Sequence, residues 1–478
     1  MLSRINVNNR SDYQLLLDET KEKIEHLVNQ TYQSGTSLEE TSEALEQEIR
    51  ELMNMQGSLL LGMKLQQILD SKEVEQTEQE LIEKIPKKMK SEGKKKVYIE
   101  TSFGYQITVW TRYYTQHRGI SRRIWKRKAG VYPGLAVLGI YERCTPYLAS
   151  LVSIFAAMMG SFAEAQHVLT ILHIPLGEKS IRRLVYRSAE RARVVQQMDE
   201  WQEKASEGEG KRRIIVSTDG GRIRLREKKR GRKTKRNKTR YKGAWREPKI
   251  LIIYMVDEEG KKIAEYAPII DGTLKGPQHT FQMIRNYLQQ LKIQKDDQIL
   301  FIADGARWIW KRVPALFKAL NLKLEQGWQL IDFFHATQHI NAVAKLCKSM
   351  KPKQQKSWVT KQCKRLKEGN VDIVIDEIRK YCRGRNSKSI RTELNYFIKN
   401  RNRMAYAKVT ALHLPIGSGA VESAVRRVVN LRMKGAAIFW CKSNAEHLLM
   451  LRSYYKSGRW EQFKKMAFSS LATVANLA

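Results

Sequence analysis

Two short apolar segments that end in Asp-Gly constrain the fold of this chain more than any other feature. The first is Lys211-Arg-Arg-Ile-Ile-Val-Ser-Thr-Asp219-Gly-Gly221, and the second is Gln298-Ile-Leu-Phe-Ile-Ala-Asp304-Gly305. Each predicts a buried β-strand that stops at a tight turn, with a carboxylate at the strand's exit. Two such strands suggest paired carboxylates at neighbouring strand ends, an arrangement that binds divalent metal for phosphoryl transfer. Asp-Gly is also a common turn dipeptide, so either segment alone indicates only a turn.

The chain between and after these segments predicts a mixed α/β sheet flanked by helices. In chain order the further elements are strands at Lys249–Val256 and about 263–270, a helix at Thr280–Leu291, a helix with Trp308 and Trp310 after the Asp304 strand, an apolar run at Trp328–His335, helices over 336 to about 405, and a helix at Ala420–Met433. The core elements match an RNase H-like core in their order, which is three strands, a helix, a strand, a helix and a strand. The helical segment after residue 336 carries no strand signal and interrupts that pattern, as an all-α insertion domain would.

The charge of the chain indicates a polyanionic partner. Its 478 residues include 87 Lys and Arg against 49 Asp and Glu, a formal net charge of +38 that no soluble fold requires. Nucleic acid is the first candidate partner, and a membrane surface is the competitor. The sequence shows no apolar run of 18 residues, no signal peptide and no lipidation motif, which argues against a membrane.

The five cysteines predict no metal or disulfide framework. Their number is odd, and no two of them have Cys-x-x-Cys spacing. A zinc ribbon and a disulfide scaffold are therefore not expected, and a reducing cytoplasm is the simplest compartment.

The first 60 residues differ in charge from the rest, with 11 acidic and 5 basic residues. Apolar positions at helical spacing, such as Leu45, Ile49 and Leu52, predict two or three amphipathic helices there. These helices either pair with a second copy of the chain, fold back on the basic body, or form an ordinary helical cap. The Lys-rich segment Lys84–Lys96 is typical of a linker.

Three features in the middle of the chain are candidates for DNA binding. Residues 97–116 alternate in polarity and predict a β-hairpin that turns near Phe103-Gly104. The predicted helices Ser161–Leu172 and Glu178–Arg193 are compatible with a helix-turn-helix, although any helical hairpin has the same pattern.

The segment Arg222–Arg246 contains 14 basic residues and one acid, so it is either a cationic ribbon that contacts phosphates or a solvated arm. The candidate DNA-binding residues are Arg222, Arg224, Arg230, Arg232, Lys233, Lys235, Arg236, Arg426 and Arg427.

Glu422 is a third candidate carboxylate, on the predicted helix Ala420–Met433. It lies at the edge of the apolar stripe of that helix, so it can face a cleft beside the sheet. An acid that offsets the helix dipole or pairs with Arg426 has the same sequence pattern. Beside Asp219 and Asp304, Glu422 completes an Asp-Asp-Glu set from two strand ends and one late helix.

With these residues, the chain resembles bacterial insertion-sequence transposases with an RNase H-like Asp-Asp-Glu core, closest to the Kra type and akin to the mutator type. The resemblance covers most of residues 97–455. Its motifs are Ser217-Thr-Asp-Gly-Gly-Arg-Ile-Arg-Leu-Arg-Glu227, Trp245-Arg-Glu-Pro-Lys249, Phe301-Ile-Ala-Asp-Gly-Ala-Arg-Trp-Ile-Trp310, Asp332-Phe-Phe-His335 and Gly417-Ser-Gly-Ala-Val-Glu-Ser-Ala-Val-Arg-Arg427. Relatives often carry a Cys-rich segment after the hairpin, whereas this sequence has Tyr114-Thr-Gln-His-Arg118 and no cysteine there.

The resemblance implies that Asp219, Asp304 and Glu422 are catalytic and hold two Mg²⁺ ions, or Mn²⁺ in their place, roughly 3.5–4 Å apart. Water would first free a 3′-hydroxyl at the element end, and that hydroxyl would then attack target DNA. Asp332-x-x-His335 resembles the accessory acid-x-x-His element of these families. His335 is therefore a further catalytic candidate that orients a carboxylate or contacts the scissile phosphate, with a satisfied core histidine as the alternative.

The function that the resemblance implies is Mg²⁺-dependent DNA transposition by a homo-oligomer on double-stranded DNA, in the bacterial cytoplasm. Two alternatives remain open: a DNA-binding regulator or domesticated transposase that no longer cuts, and a structure-specific nuclease that cuts without joining strands. The expected domains are a helical N-terminal region (1–95), a DNA-binding region with the hairpin and the helix-turn-helix-like helices (96–205), the first part of the catalytic core (206–345), the helical insertion (346–410), and the last core helices with the C-terminus (411–478).

Overall fold

The computed structural model describes residues 3–5, 7–29, 38–86, 88–116, 130–198, 211–235, 237, 239–323, 325–384 and 387–473. The described part is a mixed α/β structure that divides into two compact units, Met1–Trp201 with Glu461–Ala478, and Gln202–Trp460. The basic stretch of the sequence at Arg118–Lys128 lies outside the described residues, and so does the candidate DNA-binding residue Arg236. None of the described helices is long and apolar enough to cross a membrane.

The first unit combines a small sheet with helices. Its strands are β1 (Ser3–Arg4), β2 (Met89–Glu100), β3 (Tyr105–Gln116) and β4 (Gly130–Val131), and its helices are α1 (Asp12–Asn29), α2 (Leu38–Leu69), α3 (Lys72–Glu83), α4 (Pro133–Val137), α5 (Pro146–Met158), α6 (Phe162–Ile171), α7 (Glu178–Gln196) and α19 (Trp460–Ala467). The predicted hairpin is confirmed, because β2 and β3 pair antiparallel from Glu100 opposite Gln106 to Met89 opposite Gln116. The predicted linker is wrong for residues 89–96, which belong to β2. The lysines of this part of β2 are exposed, and an exposed Lys-rich segment has the composition of a linker.

Helices α1 and α2 pack on β3 through polar as well as apolar contacts. The Tyr13 hydroxyl is hydrogen-bonded to the backbone of Thr108, and the Gln66 side chain accepts from the Trp110 amide (2.7 Å) and donates to its carbonyl (3.1 Å). A buried strand edge needs such partners because an unpaired backbone group costs free energy. The two side chains therefore satisfy backbone groups along the strand while Tyr13 and neighbouring apolar residues form the core.

The second unit contains seven strands and eleven α-helices among the described residues. The strands are β5 (Arg213–Gly220), β6 (Ile223–Lys228), β7 (Tyr241–Arg246), β8 (Lys249–Val256), β9 (Ile269–Thr273), β10 (Gln298–Ala303) and β11 (Gly327–Ile331). The helices are α8 (Pro277–Gln290), α9 (Arg307–Trp310), α10 (Val313–Ala319), α11 (Phe333–Leu346), α12 (Pro352–Lys367), α13 (Val371–Lys380), α14 (Ser387–Asn400), α15 (Tyr406–Ala411), α16 (Gly419–Val425), α17 (Leu431–Met433) and α18 (Lys442–Lys456). Helices α11 to α15 form the predicted helical segment after β11.

The central sheet of this unit has the strand order β11-β10-β5-β8-β9. Strands β5, β10 and β11 are parallel to one another, whereas β8 is antiparallel to both β5 and β9. All residues of β8, β9 and β10 are buried, as expected for a sheet that helices cover on both faces. The strand predicted at 263–270 begins only at Ile269, because Pro268 has no amide hydrogen to donate to a ladder.

Strands β5 and β6 form one side of a long hairpin, and β7 and β8 form the other. Arg213 lies opposite Val256, Asp219 opposite Ile250, and Lys228 opposite Tyr241, so a single register runs through both sheets. At the bend between the sheets, the Gly221 amide donates to the Pro248 carbonyl (2.9 Å). The prediction that the first Asp-Gly strand stops at a tight turn is therefore wrong, since the chain continues past Asp219 into the β6–β7 ribbon.

Candidate active site

The register of the central sheet brings Asp219 and Asp304 to the same level. Phe301 lies opposite Val216 in the parallel pair of β10 and β5. Asp304 follows three residues after Phe301, and Asp219 follows three residues after Val216. Adjacent strands are about 4.8 Å apart, so the two carboxylates lie at neighbouring positions on one edge of the sheet, as the sequence predicts.

Close packing favours glycine after both aspartates, more strongly at Gly305, which faces an aromatic ring, than at Gly220, which faces the flexible end of a half-exposed Glu247 side chain. Neither Gly220 nor Gly305 has a positive φ angle. A Cβ atom on Gly220 would overlap the Glu247 carboxylate, and one on Gly305 would overlap the ring of Tyr396. The turn interpretation is confirmed at Asp304, where the chain leaves β10 and the carboxylate accepts from the Ala306 amide (3.0 Å), as in an Asx turn. It is not confirmed at Asp219, where the chain continues into the β6–β7 ribbon.

The surroundings of Asp219 destabilise the ionised form of its carboxyl group. Burial raises the pKa of its carboxyl group above the ordinary value, and the negative charges of Asp304, Glu422 and Glu247 raise it further, while a 2.6 Å hydrogen bond from the Gly220 amide lowers it. Coulomb interactions weaken with distance and with solvent screening. Asp304, Glu422 and Glu247 therefore lie within electrostatic reach of the Asp219 carboxylate. A cation among them would relieve their repulsion.

Asp332 links the end of β11 to the helix that carries Glu422. Its side chain is 2% exposed, and its two carboxylate oxygens accept hydrogen bonds from the His335 amide (2.7 Å) and the Ser418 amide. The Phe333 amide donates to the Ile416 carbonyl (2.9 Å) beside it. Since Ser418 is the N-cap residue of α16, Asp332 fixes the start of that helix relative to the sheet.

Glu422 lies in the first turns of α16 and is exposed. Helix α16 packs against β5 and β8, the two strands at the centre of the sheet. No ion pair joins Glu422 to Arg426 in the described part of the chain, so the i,i+4 pair expected from the sequence pattern is not formed. Helix α16 continues directly into a π-helical segment, Arg426–Asn430, and such segments are frequent at functional sites.

His335 belongs to an aromatic group contributed by α11 and α14. Its ring centroid lies 5.2 Å from that of His339 and 6.3 Å from that of Tyr396. His339 stacks on Tyr396 at 3.6 Å, and its Nδ1 atom lies 2.5 Å from Oε2 of Glu393. The Tyr396 hydroxyl is buried, and burial together with the charges of Asp304, Asp332 and Glu393 raises its pKa. Helix α14 thus reaches the neighbourhood of Asp304.

The predicted DNA-binding residues occupy two places in the second unit. Most are on the β6–β7 ribbon and its tip, and two are on the helix after Glu422. On the ribbon and its tip, Arg222, Arg230, Arg232, Lys233 and Lys235 are exposed and Arg224 is partly buried. After Glu422, Arg426 is exposed, whereas Arg427 is partly buried and donates to the Lys456 carbonyl (3.2 Å). The ribbon therefore presents most of the predicted cations to solvent.

Sequence reasoning missed two residues near the carboxylates. Tyr396 is 92 positions from Asp304 in the chain, within a helical segment whose pattern says nothing about what its side chains contact. Glu247 is within one of the sequence motifs, but only the pairing of β5 with β8 brings it beside Gly220. Its carboxylate pairs with Lys249 (2.7 Å), and the Lys249 ammonium lies 4.1 Å from the Trp308 ring centroid.

Comparison of the chain with protein-family models, curated proteins and solved structures returned no match. Within the described residues, no three His, Cys, Asp or Glu side chains are grouped closely enough to hold a metal ion.

Replacing Asp219 with asparagine is expected to stabilise the protein when no divalent cation is present. The folded-state pKa of Asp219 is raised, so its ionised form destabilises the fold above that pKa, and the effect disappears as pH falls through it. Differential scanning fluorimetry in EDTA at pH 7 should show a higher Tm for Asp219→Asn, by about 2–4 °C for each kcal/mol of relieved repulsion. The matched control is Asp296→Asn, an exposed acid of the same unit. A lower Tm for Asp219→Asn at pH 7 would contradict the expectation.

Proposed function

We propose that this chain is a DNA transposase with an RNase H-like core, in which Asp219, Asp304 and Glu422 are the catalytic carboxylates. The observation that carries the proposal is the register that places two of these carboxylates at neighbouring strand ends. The parallel register brings Asp304 beside Asp219. Glu422 is 118 residues after Asp304 in the chain, and its charge also acts on Asp219 from helix α16. An acidic group assembled from such distant segments is costly unless a cation offsets it.

The topology supports the RNase H-like part of the proposal. In chain order, the central sheet consists of three antiparallel strands, a helix, a strand, a helical connection and a final strand. The first strand is at the centre, with the second and third on one side and the fourth and fifth on the other. Asp219 lies on the first strand and Asp304 directly after the fourth.

The donor set fits a hard divalent cation. Three carboxylates supply only oxygen ligands, which Mg²⁺ and Mn²⁺ prefer over the nitrogen and sulfur ligands typical of zinc. A cation held there would lower the pKa of a bound water and stabilise charge on phosphate oxygens. Because the three side chains are not grouped at ligand distances, and because they repel one another, cation binding requires that they move closer together.

The remaining residues of the site would position these carboxylates. The two backbone hydrogen bonds to Asp332 hold the start of α16, and therefore Glu422, against the end of β11. The Ala306 amide donates to Asp304 Oδ1 (3.0 Å), which orients that carboxylate. The His335 ring, four residues before His339, would contact the scissile phosphate or orient a catalytic carboxylate.

The proposed partner is double-stranded DNA, including the element ends and the target. The net charge of +38 and the exposed cations of the ribbon support this partner. A reducing cytoplasm is the proposed location, and all five cysteines are unpaired thiols.

Incubation of the full chain with Mg²⁺ and DNA that carries the sequence flanking its gene tests the proposal. Nicking at the element ends, followed by joining of the new 3′-hydroxyl to a second DNA, is the expected result. Nicking without joining would identify a nuclease instead. Tight binding without any nicking would identify a DNA-binding regulator.

The protein is expected to act on DNA as at least a dimer, because two element ends must be held together for coordinated joining. Helix α2 supports this expectation, since Leu45, Ile49 and Met53 follow one another at four-residue spacing and are 43–45% exposed. Light scattering of the complex with end DNA should give at least two chains, and Ile49→Glu combined with Met53→Glu should reduce that number. A one-to-one complex that still joins strands would contradict the prediction.

A further inference from the structure

One face of the β6–β7 ribbon carries guanidinium groups beside aromatic rings. Cross-strand partners share a face of the ladder, and Arg224 lies opposite Trp245 while Lys228 lies opposite Tyr241. The guanidinium carbon of Arg224 is 5.3 Å from the Trp245 ring centroid, and that of Arg226 is 4.9 Å from the Tyr241 centroid. Cations and rings therefore lie side by side along this face.

The two rings are only partly covered. Trp245 is 48% exposed and Tyr241 is 47% exposed. Large aromatic side chains are usually buried or at an interface, because their exposure to water is unfavourable. Two half-exposed rings on one short ribbon form an aromatic surface that a ligand can cover.

The ribbon is held in a fixed conformation by the segment that contains Phe439 and Trp440. The Arg226 amide donates to the Trp440 carbonyl (2.8 Å), and the Trp440 amide donates to the Arg224 carbonyl (2.9 Å), so this segment adds to the free edge of β6. Phe439 lies on the same face as the two rings, because it packs against Gly243 between them; its ring centroid lies 5.8 Å from that of Tyr241 and 4.6 Å from the guanidinium carbon of Arg224. Trp440 itself is 7% exposed and donates to the Met433 carbonyl (3.0 Å), so it is part of this support.

We infer that this face stacks unpaired bases of a DNA strand next to the cleavage site. Duplex DNA offers phosphates to cations, but its bases are stacked on each other and do not present their faces to protein rings. Single-stranded DNA presents both, and proteins bind it with cationic grooves that carry exposed aromatic side chains. Tyr241 and Trp245 are four residues apart on one strand, about 13 Å, which is far enough to contact different nucleotides.

The position of the face beside the carboxylates supports this inference, which rests on the proposed function. Trp245 lies opposite Arg224, which is five residues beyond Asp219, so the two sites are at most about 17 Å apart along the ladder. An odd separation places Asp219 and Arg224 on opposite faces of a continuous ladder, so a DNA strand whose phosphate reaches the carboxylates would have to pass the bend at Gly221 to reach these rings. The ribbon would hold the strand separated from its complement near the cut.

The test compares binding of an oligothymidylate and of a matched duplex, without divalent cation. Trp245→Ala is expected to weaken binding of the single strand about tenfold, the effect of one lost base–aromatic stack, and to change duplex binding by less than about twofold. Trp245→Phe should keep most of the affinity, since it retains a ring. The salt dependence of single-strand binding should be the same for Trp245→Ala as for the unchanged protein, because no cation is removed.

The matched control is Tyr147→Ala, which removes a ring that is 70% exposed in the first unit; it should leave both affinities unchanged. Equal losses on single strand and duplex, or no loss at all, would overturn the inference. Tighter binding of oligouridylate than of oligothymidylate would assign the face to RNA and would also overturn it. Because the assay contains no divalent cation, its outcome is separate from any failure of the protein to cleave DNA.

Discussion

Glu422→Gln is expected to abolish Mg²⁺-dependent nicking of end DNA while binding of that DNA is unchanged. The substitution keeps the size of the side chain and the helix that carries it. It removes one negative charge and replaces one ligand oxygen with an amide nitrogen that does not bind Mg²⁺. The stabilisation that a catalytic cation provides is several kcal/mol, so the nicking rate should fall about 10³-fold or more.

Asp219→Asn and Asp304→Asn should lose nicking to a similar extent, and combinations should lose little more, because the three carboxylates act as one unit. Glu325→Gln, an exposed acid of the same unit, is the matched control and should nick normally. Full nicking by Glu422→Gln would remove Glu422 from the site. In that case the residue would be only a helix-start acid, with an effect of a few tenths of a kcal/mol on stability.

The affinity for DNA is expected to fall about 10³-fold or more between 50 and 200 mM salt, because six or more phosphate contacts each release a counterion. The exposed tip of the ribbon should supply a large share of this effect. The variant that tests it replaces five cations of the segment between Lys228 and Tyr241 with neutral residues: Arg230, Arg232, Lys233, Lys235 and Arg236. Each phosphate contact that is lost should reduce the slope of log affinity against log salt by about 0.9.

A control with the same change in net charge separates local contacts from the overall field of the protein. Helix α12 carries five exposed lysines that can be neutralised together: Lys353, Lys356, Lys361, Lys364 and Lys367. If tip and control variants flatten the slope equally, the ribbon has no special part in binding. If the tip variant leaves the slope unchanged, the tip does not contact DNA.

The sequence predicted the helices and strands of the candidate site better than the contacts between them. The apolar runs before Asp219 and Asp304 are strands, because such runs are stable only when a sheet pairs them and helices cover them. Helix α16 was also predicted, together with the position of Glu422 on it. Each of these features depends on residues that are close in sequence, and local patterns report such features directly.

Contacts between residues that are distant in the sequence could not be predicted from those patterns. The overlap between Gly305 and Tyr396 is invisible in the sequence, where Asp-Gly has the same composition as a turn. Asp332 was predicted as part of an accessory element, but its bond to the Ser418 amide depends on how the chain returns after five helices. The Lys-rich part of β2 was predicted as a linker because exposed strand and linker share a composition.

The single register of the long hairpin limits how the ribbon can change in length. Side chains alternate between the two faces of a strand, so one extra residue in β6 would move every later side chain to the opposite face. An insertion between Asp219 and the arginines that keeps the rings on their present side of the ribbon must add the same even number of residues to both strands. Variants lengthened or shortened there would therefore differ in steps of four residues, and the position of Asp219 would be the same in all of them.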